Sequence, residues 1–179
     1  IPENVTSLDF SEGDFDGAYK IWGIQLDEKS FRKASLPKDA IIHKINKKGQ
    51  LPAPELTYNK AILTGRVLGF KKEMPASGKL YLKDPIRWLN FAEEVSINED
   101  GTFRIETDVI TVTPATLALP FAQIPCLLAP GKECSIIINT PECTRLQSHL
   151  QKDGKPYGKK AYYNGYLAEL QQELADNTI

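Results

Sequence analysis

The residues best equipped for covalent chemistry are three cysteines, Cys126, Cys134 and Cys143, and the natural metal ligands beside them are only two histidines, His43 and His149. No pair of cysteines forms Cys-x-x-Cys, the arrangement that lowers a thiol pKa in dithiol redox centres. A zinc site would have to be gathered from distant segments, without the short ligand spacings that mark such sites. Cys126 and Cys134 lie symmetrically about Pro130. A hairpin closing there would set them face to face, where a disulfide still needs the right separation and torsion. The alternative is two buried free thiols that pack as small hydrophobes. Cys143 is expected on the inner face of a helix.

Other patterns carry less. Ser30-Phe31-Arg32-Lys33 matches the Ser-x-x-Lys of penicillin-recognising enzymes, but their Ser-Asp-Asn and Lys-Thr-Gly partners are absent. There is no Gly-x-x-x-x-Gly-Lys phosphate loop and no Gly-x-Ser-x-Gly nucleophile elbow. Glu12, Asp14 and Asp16 with Gly17 share the spacing of a calcium loop's start, yet Gly23 stands where the bidentate glutamate belongs. An acidic hairpin tip is the expectation there. The 23 acidic residues could supply a glycosidase-like carboxylate pair, but no spacing singles one out. Trp22 and Trp88, with Tyr162-Tyr163, are the candidates for ligand stacking: a sugar platform if exposed, core or interface anchors if not. No catalytic residue, metal ligand or cofactor is assigned.

The elements that must position these residues are read from length and periodicity. At 179 residues, 41% hydrophobic and 25% charged, the chain fits one domain with extensions and can bury a core. A net charge of -1 and a pI near 6.2 give no electrostatic footprint for nucleic acid. The basic cluster His43, Lys44, Lys47 and Lys48 runs into a Lys48-Gly49 turn and reads as a solvated loop. No run approaches the roughly 18 apolar residues of a membrane span. Ile1-Pro2-Glu3 is not the start of a signal peptide, and the missing methionine suits a processed form or an excised piece.

The clearest element is Val95 to Ile105, two alternating arms about Asp100-Gly101, which predicts a hairpin. Strands are also predicted around Val5–Phe10, Ala18–Leu26, Ala61–Phe70, Lys79–Lys83 and Trp88–Ala92, with a short one possible within Ala40–Ile45. Val109–Thr113 and Thr116–Leu119 read as two pieces separated by Pro114. Gln123–Leu128 and Cys134–Asn139 read as a second hairpin across Ala129-Pro130-Gly131-Lys132. Gly65 and Gly69 indicate a bulge or a close backbone approach. After Asn139 the period becomes helical. Thr140-Pro141 is a cap and first turn, with Cys143, Leu146 and Leu150 on one face. A second helix is predicted from Lys159 or Lys160, carrying the stripe Tyr163, Leu167, Leu170 and Leu174. The resulting expectation is a mainly antiparallel β-sandwich of about seven or eight strands with one or two C-terminal helices. Its segments are 1–57, N-terminal strands and connector; 58–140, sandwich core; and 141–179, a helical segment leading to a further domain.

The chain resembles the region that precedes the thioredoxin fold in TlpA-like thiol-disulfide oxidoreductases of Gram-negative envelopes. The residues that carry the likeness are Asn4–Gly13, Lys20–Ile24, Ala61–Phe70, Asn98–Phe103, Leu128–Glu133 and Tyr163–Leu170, in that order. The resemblance implies a β-sandwich-like accessory domain, periplasmic or membrane-anchored in the full protein. It also implies a following thioredoxin-like domain as partner, beginning where this chain stops, and protein thiols as substrates of the whole. The redox Cys-x-x-Cys belongs to that following domain, so none of Cys126, Cys134 and Cys143 takes a catalytic role from it. The chain by itself is expected to be no enzyme. The competing expectations are a carbohydrate- or protein-binding β-sandwich module and a hydrolase.

Overall fold

The computed structural model describes residues 7–12, 15–22, 53, 56–147 and 158–177. The expected strand within Ala40–Ile45, the basic cluster, the Ser30–Lys33 motif and both histidines lie outside the described residues. β1 (Ser7–Glu12) and β2 (Phe15–Trp22) pair antiparallel as a two-stranded ribbon. Glu12 is opposite Phe15, so Asp16 and Gly17 belong to a strand rather than to the loop expected there.

Eight further strands follow: β3 (Asn59–Leu68), β4 (Ser77–Asp84), β5 (Leu89–Ser96), β6 (Thr102–Val109), β7 (Thr113–Leu119), β8 (Ala122–Leu128), β9 (Glu133–Asn139) and β10 (Ala161–Gly165). They form two four-stranded sheets, ordered β10-β9-β3-β6 and β5-β4-β7-β8. All neighbours are antiparallel except β3 and β9. Helix α1 (Thr140–Gln147) follows β9, and α2 (Ala168–Asn177) follows β10. The mainly β sandwich expected from the strand spacing is the fold observed.

Alternation explains the core. In β7 and β8 every second residue is buried, which sends Leu117, Ile124 and Leu128 inward against Leu63, Phe103, Ile136 and Ile138 of the other sheet. Gly65 faces Phe103 in register, and a Cβ there would sit 2.2 Å from the Phe103 ring and 2.6 Å from the Ile136 carbonyl oxygen. The ring covers the bare backbone, so the close approach expected at this glycine is present.

Several expectations are corrected. The two predicted hairpins are instead turns between sheets. Asn98 N–H donates to Thr102 O at 2.8 Å and Gly101 has φ 81°, but β5 pairs with β4 while β6 pairs with β3. Likewise β8 pairs with β7, whereas β9 lies between β10 and β3. Both turns lean on β3: Val67 N–H donates to Gly101 O, and Ile62 N–H to Lys132 O. Alternation fixes which side chains point inward, and a tight turn fixes the reversal, but neither specifies the lateral neighbour.

Pro114 does not divide a strand, because β4 pairs with β7 only from Ala115 onward and the missing N–H takes nothing from that ladder. α1 begins at Thr140-Pro141 as expected, yet Thr140 Oγ1 is buried without a hydrogen-bond partner and does not cap it. Finally, residues 161–165 are strand β10 rather than helix. Tyr163 is core. The buried face of α2 is Ala168, Gln171 and Gln172, while Leu174 is 43% exposed.

Candidate functional site

The thiols do not assemble a site. Cys126 and Cys134 sit on strands of opposite sheets, so the cross-strand register that would set them face to face does not form. All three cysteines are buried free thiols. Burial pushes Cys134 and Cys143 up to about 11 and Cys126 higher still, the charge of a neighbouring Cys134 thiolate adding to the last. A thiol held that high stays protonated near neutrality and is a poor nucleophile. Among the described residues no group of three or more His, Cys, Asp and Glu could hold a metal.

Of the aromatic candidates, Tyr162 and Tyr163 are buried core residues, not a stacking platform. Trp22 ends β2 opposite Ser7, and its side chain lies outside the description. Trp88 is different: it is 90% exposed.

Trp88 is displayed by the β4–β5 turn, and Asp84 builds that turn. Asp84 pairs with Leu89 across the ladder and is 5% exposed. Its Oδ1 accepts Ile86 N–H at 2.9 Å and Arg87 N–H at 2.8 Å, while Arg87 Nε donates to Oδ2 at 2.6 Å. The Arg87 amide, with the guanidinium and the Ile86 amide behind it, holds the Asp84 carboxyl below its ordinary value. Aspartate followed by proline is a natural turn start. With the backbone so held, Trp88 takes φ 55°, a left-handed conformation that costs a side-chain-bearing residue about 1–2 kcal/mol. The exposed ring returns no core packing against that strain. Ile86 and Leu89 flank it, also exposed.

Beside the turn, a groove of about 360 Å³ runs between β5 and β6, the last strands of their two sheets. Tyr58, Leu89 and Phe91 supply apolar walls; Arg87, Glu93 and Asp108 supply charge. Arg87 is matched by Asp84, so the groove is left acidic. Thr107 Oγ1 donates to Glu93 Oε1 at 3.5 Å, linking the two edge strands.

The far side of the sandwich is closed by α2. Gln171, 1% exposed, accepts Leu127 N–H of β8 at 3.0 Å and the Cys134 thiol at 3.3 Å, and donates to Tyr166 O at 2.7 Å. Gln172 donates to Ala161 O of β10 at 3.0 Å, and Tyr163 Oη donates to Pro125 O of β8 at 2.5 Å. Outside this closure a second groove of about 290 Å³ lies between Tyr81, Leu127 and Leu174.

Among the described residues the arrangement offers no nucleophile–base pair; it offers a rigid turn with an exposed aromatic ring, whose chain neighbours Arg87 and Leu89 line an acidic, partly apolar groove. No protein-family model, curated protein or solved structure matches the chain. No helix among the described residues is long and apolar enough to cross a membrane. Sequence reasoning singled out Trp88 but passed over Tyr58, Asp84, Arg87, Glu93 and Asp108. Asp84-Pro85 was the available signal, since a turn-starting aspartate between two alternating runs already marks the loop that carries the tryptophan.

Proposed function

We propose that the chain is a non-catalytic accessory module. Following the sequence resemblance, it serves a thioredoxin-like redox domain of a Gram-negative envelope protein, by positioning that domain or by recognising its protein substrates. The observation that supports this best is the exposed Trp88, held at φ 55° by the buried Asp84 beside an acidic groove. Exposed aromatics on rigid turns are recognition anchors, and bulky residues kept in left-handed conformations cluster at binding sites. The protonated, buried thiols add support, since redox turnover needs an accessible thiolate.

The experiment is a pair of assays. The native reading frame is followed past Ile179 for a Trp-Cys-x-x-Cys motif within about one domain length, on the order of a hundred residues. The chain alone is then tested for insulin reduction and for binding to whatever domain follows. Insulin turnover by the chain alone, or a following domain without a thioredoxin motif, would refute the reading. A carbohydrate-binding module is the second reading, favoured by the exposed Trp88 next in the chain to a groove that holds the polar Asn90, Glu93 and Asp108. Glycan-array binding abolished by Trp88→Ala would select it.

A further inference from the structure

The two sides of the sandwich are finished differently. On one, Gln171, Gln172 and Tyr163 occupy main-chain groups of β8 and β10 that no further strand among the described residues pairs. On the other, β5 and β6 end their sheets, and among the described residues no strand pairs with the outer edge of either. An open edge is a row of unpaired N–H and C=O groups and a template for another strand. Proteins usually blunt it with proline, bulges, short strands, charged side chains or a covering element; of these, among the described residues, β5 carries charge, Glu93 and Glu94, which selects against an acidic strand and for a basic one. β5 has eight residues, no proline or glycine, and an unbroken register against β4.

We infer that the outer edge of β5 docks an extended polypeptide segment carrying apolar and basic residues on one face, as Phe91 and Glu93 share one face of β5, and that it adds as a further strand to the β5-β4-β7-β8 sheet. The inference rests on the recognition-module reading and names its ligand. Main-chain pairing along β5 supplies affinity, and alternate side chains supply selectivity. Trp88 stands at the first residue's flank, where it can cover one end of the added strand. Tyr58 and Phe91 line the groove that takes apolar side chains, and Glu93 and Asp108 set its charge. The same charge argues against a second copy of this chain as the occupant. Glu94 is engaged by Lys79 at 3.5 Å, but two β5 edges brought together would bring their Glu93 carboxylates to the same seam, and like charges across a strand pair are destabilising.

The test uses the whole chain and a synthetic probe. The probe is a peptide of repeating Val-Ser-Lys-Ser, as long as β5, which puts valine and lysine on the same face of the added strand. The control is the same peptide N-methylated at alternate amides, which removes the donors along one edge. Amide hydrogen exchange is followed by NMR, together with tryptophan emission. The expected result is slowed exchange at the outward amides of β5, a blue-shifted emission, and no binding of the methylated control. Trp88→Ala should weaken the peptide about tenfold or more, as loss of an aromatic anchor does. Unchanged exchange at β5, equal binding of the methylated peptide, glycan binding at Trp88 without β5 protection, or concentration-dependent self-association through β5 would each overturn the inference. The two readings fail separately. A following domain that binds at α2 while the peptide leaves β5 unprotected removes the strand inference alone. Peptide protection of β5 in a chain that no thioredoxin-like domain binds removes the accessory reading alone.

Discussion

Replacing Gln171 by leucine tests how α2 is held. The residue is 1% exposed, and its amide serves Leu127 N–H, the Cys134 thiol and Tyr166 O. Leucine has similar volume and keeps the helix, but leaves the two main-chain groups without a partner. A buried polar group stripped of its hydrogen bond costs about 1–3 kcal/mol. Leu127 and Tyr166 are only half-buried, so the low end applies to each, about 2–3 kcal/mol together. Burying extra apolar atoms offsets about 1 kcal/mol of that, which leaves a net loss of about 1–2 kcal/mol. Leu174→Gln is the companion, on an exposed position of the same helix, and should stay within about 0.5 kcal/mol. Urea unfolding followed by far-UV circular dichroism reads both. With a slope of about 2 kcal/mol per molar, the middle of the ordinary range, the Gln171→Leu midpoint should fall by about half to one molar. An amphipathic reading of the leucine stripe demands the opposite order. Equal midpoints, or a larger loss from Leu174→Gln, would refute the edge-closing role of the glutamine.

Other outcomes follow from the same structure. In the native protein Cys126, Cys134 and Cys143 should resist a thiol reagent at neutral pH, and alkylation of the unfolded, unreduced chain should modify three thiols; two fewer would reveal a Cys126–Cys134 bridge. Because the folded thiols of Cys134 and Cys143 are raised from 9.0 to about 11, their contribution to stability is full below about pH 9 and is lost as pH rises through about 11, which a pH series of thermal melts checks. Gly65→Ala places a Cβ 2.2 Å from the Phe103 ring and should destabilise by about 1–3 kcal/mol in denaturant titration, through overpacking rather than strain at φ. Trp88→Asn should leave stability unchanged or higher by up to about 1 kcal/mol, since asparagine tolerates the left-handed backbone, while weakening peptide capture about tenfold or more; a marked loss of stability would make Trp88 a structural residue. Asp84→Ala should loosen the turn above pH 4 and differ least from the parent in acid, because a depressed carboxyl stabilises above its unfolded value of 3.8 and stops doing so as pH falls through the folded one, a window that Trp88 emission can follow.

The strands were legible wherever alternation was clean. β3, β4 and β9 lie close to their expected bounds, and the start of α1 at Thr140-Pro141 needed only local chemistry. The candidate site was half legible. Trp88 stood out by type, but nothing local to it shows that its ring faces water while Tyr162 and Tyr163 are enclosed. Glu93 and Asp108 are separated in the chain and meet only because β5 and β6 end their sheets on the same side.

What the sequence alone determined is local: periodicity-two segments, the glycines Gly101 and Gly131 where the chain reverses at positive φ, and the inward face of each strand. These depend on backbone sterics and on neighbours a few residues away. Only the tertiary structure decided which strand lies beside which, so the Asp100-Gly101 and Pro130-Gly131 turns became crossings between sheets. It also decided which face of α2 is buried. A helix laid along sheet edges meets unpaired N–H and C=O groups rather than oil, and there Gln171 and Gln172, not Leu174, satisfy what the edge lacks.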